Sequence, residues 1–386
     1  MAERRTGTGK KGQQDIFVDY TLLFIVLFLL GFGLIMLYSV SSYEANLDFG
    51  DSAYYLKKQL FATAIGLVAM IVVSGIPYHF WERFAVLGYV VSAVLILLVL
   101  TPLGIEVNGA RRWLNLGISL QPAEVAKLAM ILFLASMVCK MGRSVRTGRG
   151  FITMMLVPLP ICALVYLITN NLSSAIIILG IAVLMVFVAS PDYKKFVLIA
   201  LVGISACALL IYFIVNAPEG DGMGFRSARI LAWLDPEAYA SGKGFQTLQA
   251  LYAIGSGGIW GKGLGQSMQK LGFLPEAQND MIFSIICEEL GLFGAAAVII
   301  LFVLLIWRFM VIASNAPDLF GAMLVVGVMG HIAIQVILNI AVVTNTIPNT
   351  GISLPFISYG GSSVVFLLIE IGLVLSVGRG IRLKDL

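Results

Sequence analysis

The chain has 386 residues, 59% of them hydrophobic and 12% charged, with a net charge of +4. Soluble domains carry about 25% charged residues, so this chain lacks the polar surface that a water-soluble fold must show, and its solvent is largely lipid. The modest positive balance gives no footing for a nucleic-acid partner, because in a membrane protein the placement of Lys and Arg matters more than their sum.

A bilayer-spanning helix needs roughly 20 mostly apolar residues. Ten such stretches occur in chain order, at about 20–39, 59–76, 83–101, 122–140, 151–168, 173–190, 196–216, 281–307, 319–343 and 363–378. Short polar connectors join them, except for one long connector at about 217–280. The expected fold is therefore all-α: a basic, Gly-containing tail at 1–14, expected to be disordered, then a single polytopic membrane domain over 15–386. The first apolar run is long and no small-x-small site follows it, so it is expected to stay uncleaved. With the N-terminus placed in the cytoplasm, the inner tails and connectors hold 15 Lys and Arg, and the short outer connectors hold 4. That asymmetry predicts both termini inside and the 217–280 loop outside, since a long loop crosses regardless of its own charge. Cys139, Cys162, Cys207 and Cys287 fall in or beside spans without metal-ligand spacing, and no disulfide is expected.

Ionisable residues at membrane depth are costly and mark functional sites by default. The fourth span opens Gln121-Pro122-Ala123-Glu124-Val125-Ala126-Lys127. Pro122 suits a first helical turn, and Glu124 and Lys127, three apart, share a face and can pair. They read either as a structural ion pair or as part of a polar pocket open to the outer face. The ninth span carries His331, Gln335 and Asn339 at every fourth position, one polar stripe that must face other helices or water. Glu370 in the tenth span needs a partner or a proton.

The long loop enters the eighth span through Leu274-Pro275-Glu276-Ala277-Gln278-Asn279-Asp280, which puts two carboxylates at the mouth of an apolar helix. Asp280 reads either as an N-cap or as a reactive carboxylate. On an ideal helix Glu288 lies about 80° from Asp280 and Glu289 about 180°, so only Glu288 is expected near its pocket. The glycines from Gly255 to Gly265 form neither a phosphate-binding loop nor a dinucleotide fingerprint. Arg226, Arg229, Lys243, Lys262 and Lys270 give the loop a basic surface suited to phosphates or lipid headgroups. The last outer loop, 348–363, ends Ser358-Tyr359-Gly360-Gly361-Ser362-Ser363, where Ser362 or Ser363 can cap the tenth span. The only histidines are His79 and His331, so a Ser–His–Asp mechanism has no local support.

Together these motifs resemble the SEDS family of bacterial peptidoglycan polymerases. The 348–363 run looks like the family signature, and Asn108-Gly109-Ala110-Arg111-Arg112-Trp113 and Gln121-Pro122-Ala123-Glu124 match its earlier motifs. Gly263-Leu264-Gly265-Gln266-Ser267-Met268-Gln269-Lys270 with Leu274-Pro275-Glu276 and Asp280 resembles the FtsW and SpoVE branches more than the RodA branch. One segment departs: Thr169-Asn170-Asn171-Leu172-Ser173-Ser174 stands where the family usually has Gln-Pro-Asp-Leu-Gly-Thr, so an acid is missing.

The resemblance implies polymerisation of lipid II into glycan strands at the outer face of the cytoplasmic membrane, during septal division. It implies Asp280 as catalytic base, with Arg111, Arg112, Glu124, Lys127, Lys270, Glu276 and Ser362 around the substrate. One acid suffices, because a polyprenyl diphosphate leaving group needs charge neutralisation more than a proton. Arg, Lys or a divalent cation such as Mg²⁺ or Mn²⁺ supplies that, and no organic cofactor is expected. A class B penicillin-binding protein is the expected transpeptidase partner, beside other division proteins. The alternative is a lipid II flippase or a scaffold without chemistry. A transporter places its essential charges near the midplane, whereas the richest motifs here sit at the outer face.

Overall fold

The computed structural model describes residues 19–381 apart from 108, 116, 118, 191, 217–224 and 243. The tail at 1–14, Asn108 and Lys243 lie outside the described residues, as does the Arg226 side chain. The chain begins with α1 (Tyr20–Phe49), α2 (Tyr54–Gly75), the single turn α3 (His79–Glu82) and α4 (Ala85–Leu98). A three-stranded antiparallel sheet follows, β1 (Gly104–Val107), β2 (Ala110–Asn115) and β3 (Ser119–Leu120), in the order β1-β2-β3. Then come α5 (Pro122–Met141), a 3₁₀ turn at Gly142–Arg146, α6 (Gly148–Leu156), α7 (Pro158–Thr169), α8 (Leu172–Ala189) and α9 (Tyr193–Val215). The remainder is α10 (Phe225–Leu234), α11 (Phe245–Gly257), α12 (Ile282–Ser314), α13 (Leu319–Val343) and α14 (Gly361–Gly378).

Every expected span is present. Among the described residues, nine spans are long and apolar enough to cross a membrane, with α6 and α7 forming one of them across Pro158, and α4 is a shorter tenth. Their ends follow ordinary capping chemistry. Asp19 accepts from Leu22 N–H at 3.0 Å and Asp318 from Gly321 N–H at 2.8 Å, while Pro122 opens α5. Asp19 also receives Arg308 Nε of α12 at 2.6 Å, which ties α1 to α12.

The helices are apolar on all sides, so their polar side chains decide which faces turn inward. α13 is the central post, packed against α5, α8, α12 and α14. Its stripe His331, Gln335 and Asn339 is fully buried, as the four-residue spacing predicts. At the other extreme α9 has no buried residue among its described side chains; Phe196 stacks edge-on to Phe151 and Phe187 of the bundle.

Two features were invisible in the sequence. The connector after α4 folds into the β1–β2–β3 hairpin and edge strand, and the long connector carries α10 and α11. α11 packs along α12, and the turn that follows it enters a break in α12 at Gly291, which has φ 65° and ψ −163°. The break leaves backbone groups without helical partners, and the turn supplies them. Lys262 N–H donates to Glu288 C=O and Gly263 N–H to Glu289 C=O, each at 2.9 Å, while Leu292 N–H donates to Gly258 C=O at 3.0 Å. Non-helical backbone survives at membrane depth only where such partners exist. The two backbones touch so closely that a Cβ on Gly291 would lie 2.4 Å from both Gly261 N and Ile259 O.

Gly291→Ala is therefore expected to destabilise the fold by at least about 1–3 kcal/mol from the forced dihedral alone, read as a lower Tm of the detergent-purified protein. An unchanged Tm would mean that α12 does not depend on this backbone pairing.

Candidate active site

The site is built where the long connector enters α12. Met281, not Asp280, is the N-cap of α12, and no side chain caps that end. The capping reading of Asp280 thus fails on geometry, and its carboxylate is left for other work. Asp280 Oδ1 is buried without a hydrogen-bond partner. Loop 345–360 lies over it, close enough that a Cβ on Gly351 would sit 3.6 Å from Asp280 Oδ2. Burial, reinforced by the nearby Glu276 charge, pushes the Asp280 carboxyl up to about 7, against the downward pulls of its own backbone N–H and of Arg229.

The position of Asp280 is fixed through its backbone. Asn339 Nδ2 of α13 donates to Asp280 C=O at 2.8 Å and to Ile352 C=O at 2.6 Å. One amide thereby holds the entry to α12 and the last loop together. Tyr359 N–H adds a 2.9 Å bond to Gln278 C=O. Above this lies α10, whose Arg229 and Trp233 are four apart and so share a face. Arg229 donates to Asn349 C=O at 3.2 Å and Trp233 Nε1 to Asn345 C=O at 3.0 Å. Sequence reasoning had Arg229 only as one basic residue among several; the Arg229–Trp233 spacing on an amphipathic segment was the signal that singles it out.

Glu276 keeps an exposed carboxylate, bonded by Asn279 Nδ2, on a backbone with φ 54°. Glu124 and Lys127 form the expected pair at 2.8 Å, but both are sealed, with 6% and 2% of their side chains exposed. Instead of opening to the surface, the pair extends inward along a polar chain. Lys127 Nζ donates to Gln335 Oε1 at 3.5 Å, and Gln335 Nε2 donates to Ser353 C=O at 3.0 Å in the last loop. Ser363 Oγ reaches Glu124 at 3.5 Å; Ser362 makes no hydrogen bond among the described residues, and α14 has Gly360 at its N-cap without a side-chain bond. Neither serine caps, in contrast to the expectation.

Arg111 and Arg112 sit on β2. Arg111 pairs with Glu106 at 3.2 Å on the surface. Arg112 donates to Thr169 C=O at 3.3 Å and Asn170 C=O at 3.2 Å, placing a cation on the orphan carbonyls that end α7. The turn it secures is the segment that departs from the family pattern. Asn171 there caps α8 by accepting from Ser174 N–H at 3.0 Å, a role an amide oxygen fills as well as a carboxylate. The missing acid therefore leaves the local fold intact.

Lys270 is engaged by Glu289 at 2.8 Å and buried with it, beside Ser39 of α1. Glu288, expected to share the pocket of Asp280, instead takes Lys262 at 2.7 Å and Ser267 Oγ. Both acids are drawn away from Asp280 because α12 breaks beside them and the inserted turn brings its own lysines. Among the described residues no three His, Cys, Asp or Glu side chains converge on a metal position.

A family model described as Cell cycle protein, the FtsW/RodA/SpoVE model, matches residues 20–382. The Stage V sporulation protein E of Bacillus subtilis is 41% identical over 364 residues, covering 94% of this chain and 97% of that protein. A protein of Trichlorobacter lovleyi named "Probable peptidoglycan glycosyltransferase FtsW" is 38% identical, covering 95% of each. Among solved structures, a chain of a peptidoglycan synthase complex that coordinates polymerization and crosslinking superposes with a TM-score of 0.75 at 30% identity, covering 94% of this chain and 98% of that one. The rod shape determining protein RodA of Thermus thermophilus does so with a TM-score of 0.68 at 28% identity, covering 94% and 97%. Matched from the first membrane helix to the last over an all-helical bundle of the same architecture, the chain belongs to the FtsW/RodA/SpoVE family.

Proposed function

We propose that this chain is a peptidoglycan glycosyltransferase of cell division, polymerising a polyprenyl-diphosphate-linked disaccharide-peptide, lipid II, with Asp280 as its base. One observation carries the assignment of the site. Asp19, Glu124, Glu288, Glu289 and Glu370 are buried acids, and each has a basic partner, namely Arg308, Lys127, Lys262, Lys270 and His331. Among the carboxylates of the described residues, only Asp280 has a buried oxygen without a hydrogen-bond partner.

The chemistry follows from that vacancy in its hydrogen bonding. The acceptor sugar hydroxyl attacks the anomeric carbon of the donor. A new C–O bond forms, the bond from that carbon to the diphosphate breaks, and the hydroxyl proton passes to the Asp280 carboxylate. The diphosphate leaves as an anion and needs positive charge more than a proton. Arg229, above Asp280, and the exposed Arg111 and half-buried Arg112 at the hairpin are the cations proposed to meet it. The free oxygen of Asp280 and the exposed Glu276 are also donors that suit a hard divalent cation, which takes few protein carboxylates and completes its shell with phosphate oxygens; when bound, such a cation would neutralise the diphosphate. The proposed role of the Glu124–Lys127–Gln335 chain is to hold the last loop over the site, with Ser362 at the rim.

The site is proposed to face outward, with both termini in the cytoplasm, at the division septum. The supporting observation is the charge asymmetry of the connectors, 15 Lys and Arg against 4. A class B penicillin-binding protein is the proposed crosslinking partner, supported by the resemblance to a chain of a synthase complex.

Asp280→Asn is expected to lower glycan synthesis by about 10²–10⁴ while leaving insertion and partner binding unchanged. The readout is a gel assay of lipid II polymerisation with the partner, its crosslinking site inactivated. Near-normal synthesis by this variant would sink the assignment, and lipid II movement across liposomes without chain growth would return the flippase reading. The base works as the carboxylate, so wild-type activity should rise with pH through a midpoint at about 7. Since Arg229 lowers that value, Arg229→Gln should move the midpoint up. For stability the sign is opposite: a folded value raised above the ordinary one favours the fold at low pH, and that contribution fades as pH rises through about 7.

Lys127→Met leaves Glu124 buried without its cation and should lower stability by about 3–5 kcal/mol. Adding Glu124→Gln should restore most of the Tm but not the synthesis rate, because Gln335 still lacks the ammonium that orients it. Recovery of both together would make the pair purely structural.

With the native cysteines replaced, a cysteine at Ser241 should react with an impermeant thiol reagent in wall-permeabilised cells, and one at Ser144 should not. The reverse pattern would overturn the orientation.

A further inference from the structure

At the end of the bundle opposite Asp280, where α5, α8 and α12 finish and α13 begins, the helices diverge around a cavity of about 730 Å³. Its walls are apolar, with Val138 of α5, Val188 of α8, Ala313 of α12, and Ala322, Met323 and Val326 of α13. The only charged residues that line it are Arg143 and Arg146. They lie in the 3₁₀ turn after α5, started by Gly142 with φ 50°. A 3₁₀ helix has three residues per turn, so side chains three apart stack on one side, and both guanidinium groups reach the same cavity. Among the described residues neither has an ion-pair or hydrogen-bond partner. The nearest acid in sequence to the far wall, Asp318, is already taken by Tyr78, His79 and the N–H of Gly321.

We propose that this cavity is a binding site for one anionic phospholipid of the leaflet at this end, its phosphate held by Arg143 and Arg146 and an acyl chain seated between α5, α8 and α13. A planar guanidinium offers paired donors that match phosphate oxygens, and basic pockets between membrane helices suit anionic headgroups. The volume is that of a site for a small molecule rather than an ion, since ligand pockets run to about 300–1,000 Å³. The apolar walls add nothing for a free phosphate or a soluble anion, but they bury hydrocarbon. A zwitterionic lipid offers the same chains, but its own cation competes with the two arginines. None of these residues takes part in the chemistry proposed at Asp280, so the inference stands apart from that reading.

The test is native mass spectrometry of the full chain, purified in mild detergent and titrated with phosphatidylglycerol, phosphatidylcholine or inorganic phosphate. The expected result is one retained phosphatidylglycerol, at least tenfold preferred over phosphatidylcholine and not displaced by inorganic phosphate. Arg143→Gln with Arg146→Gln should lower that retention at least tenfold, with Tm in lipid-free detergent and glycan synthesis unchanged. Ala322→Leu, which fills the cavity and keeps both arginines, should lower it as well. Equal retention of the two lipids, or retention unaffected by both variants, would overturn the proposal. Displacement by inorganic phosphate would overturn it too, in favour of a soluble anion.

Discussion

Inside a bilayer a backbone N–H or C=O has no water to fall back on, and this constraint governs how the site is made. The chain breaks α12 at Gly291 and then repairs the break with the backbone of 258–263. The repair binds the end of the long connector to the helix that Asp280 introduces. The lysines of the inserted turn carry the same logic to the side chains, because Lys262 and Lys270 neutralise Glu288 and Glu289 just above the break. Ser39 donates to Glu289, so α1 joins the same assembly. The outcome is a stiff connector whose two ends, α11 and α12, cannot drift apart, with Asp280 at its last step.

A second constraint acts from the centre. α13 spends its three buried polar residues on three different neighbours: His331 on Glu370 of α14 at 2.8 Å, Gln335 on Lys127 of α5 and Ser353, and Asn339 on the carbonyls of Asp280 and Ile352. The stripe therefore reads, from one end of the membrane toward the other, as packing, then support, then site. Through this post the sealed Glu124–Lys127 pair supports the last loop, by way of Gln335 and Ser353, without itself reaching the surface.

The spans were legible because lipid imposes a length and a composition that few other environments ask for, and Pro122 marks the start of one of them. The Glu124–Lys127 pair was legible because a helix makes residues three apart into neighbours. The partners of Glu370 and Glu288 were not, since His331 is 39 positions from Glu370 and Lys262 is 26 from Glu288, and no local period connects them. Glu288 was also misplaced by treating 281–307 as one ideal helix. A single Gly in an apolar run gives no sign of a break, and only the inserted turn shows why Gly291 is there. The hairpin at 104–120 and helices α10 and α11 were hidden for a related reason: hydropathy finds what faces lipid and is silent about connectors.

These constraints converge on what is left unsatisfied. A bundle that finds a basic partner for each of five buried acids has the means to supply one to Asp280, and Arg229 is near enough to lower the Asp280 value. Asp280 is instead held by its carbonyl, which Asn339 engages, so the fold secures the residue and leaves one carboxylate oxygen free. The proposed base must be positioned and yet remain free to accept a proton, and separating the anchor from the reactive group achieves both. The cost is a carboxylate destabilised at neutral pH, and it falls where local consistency is expected to yield to function.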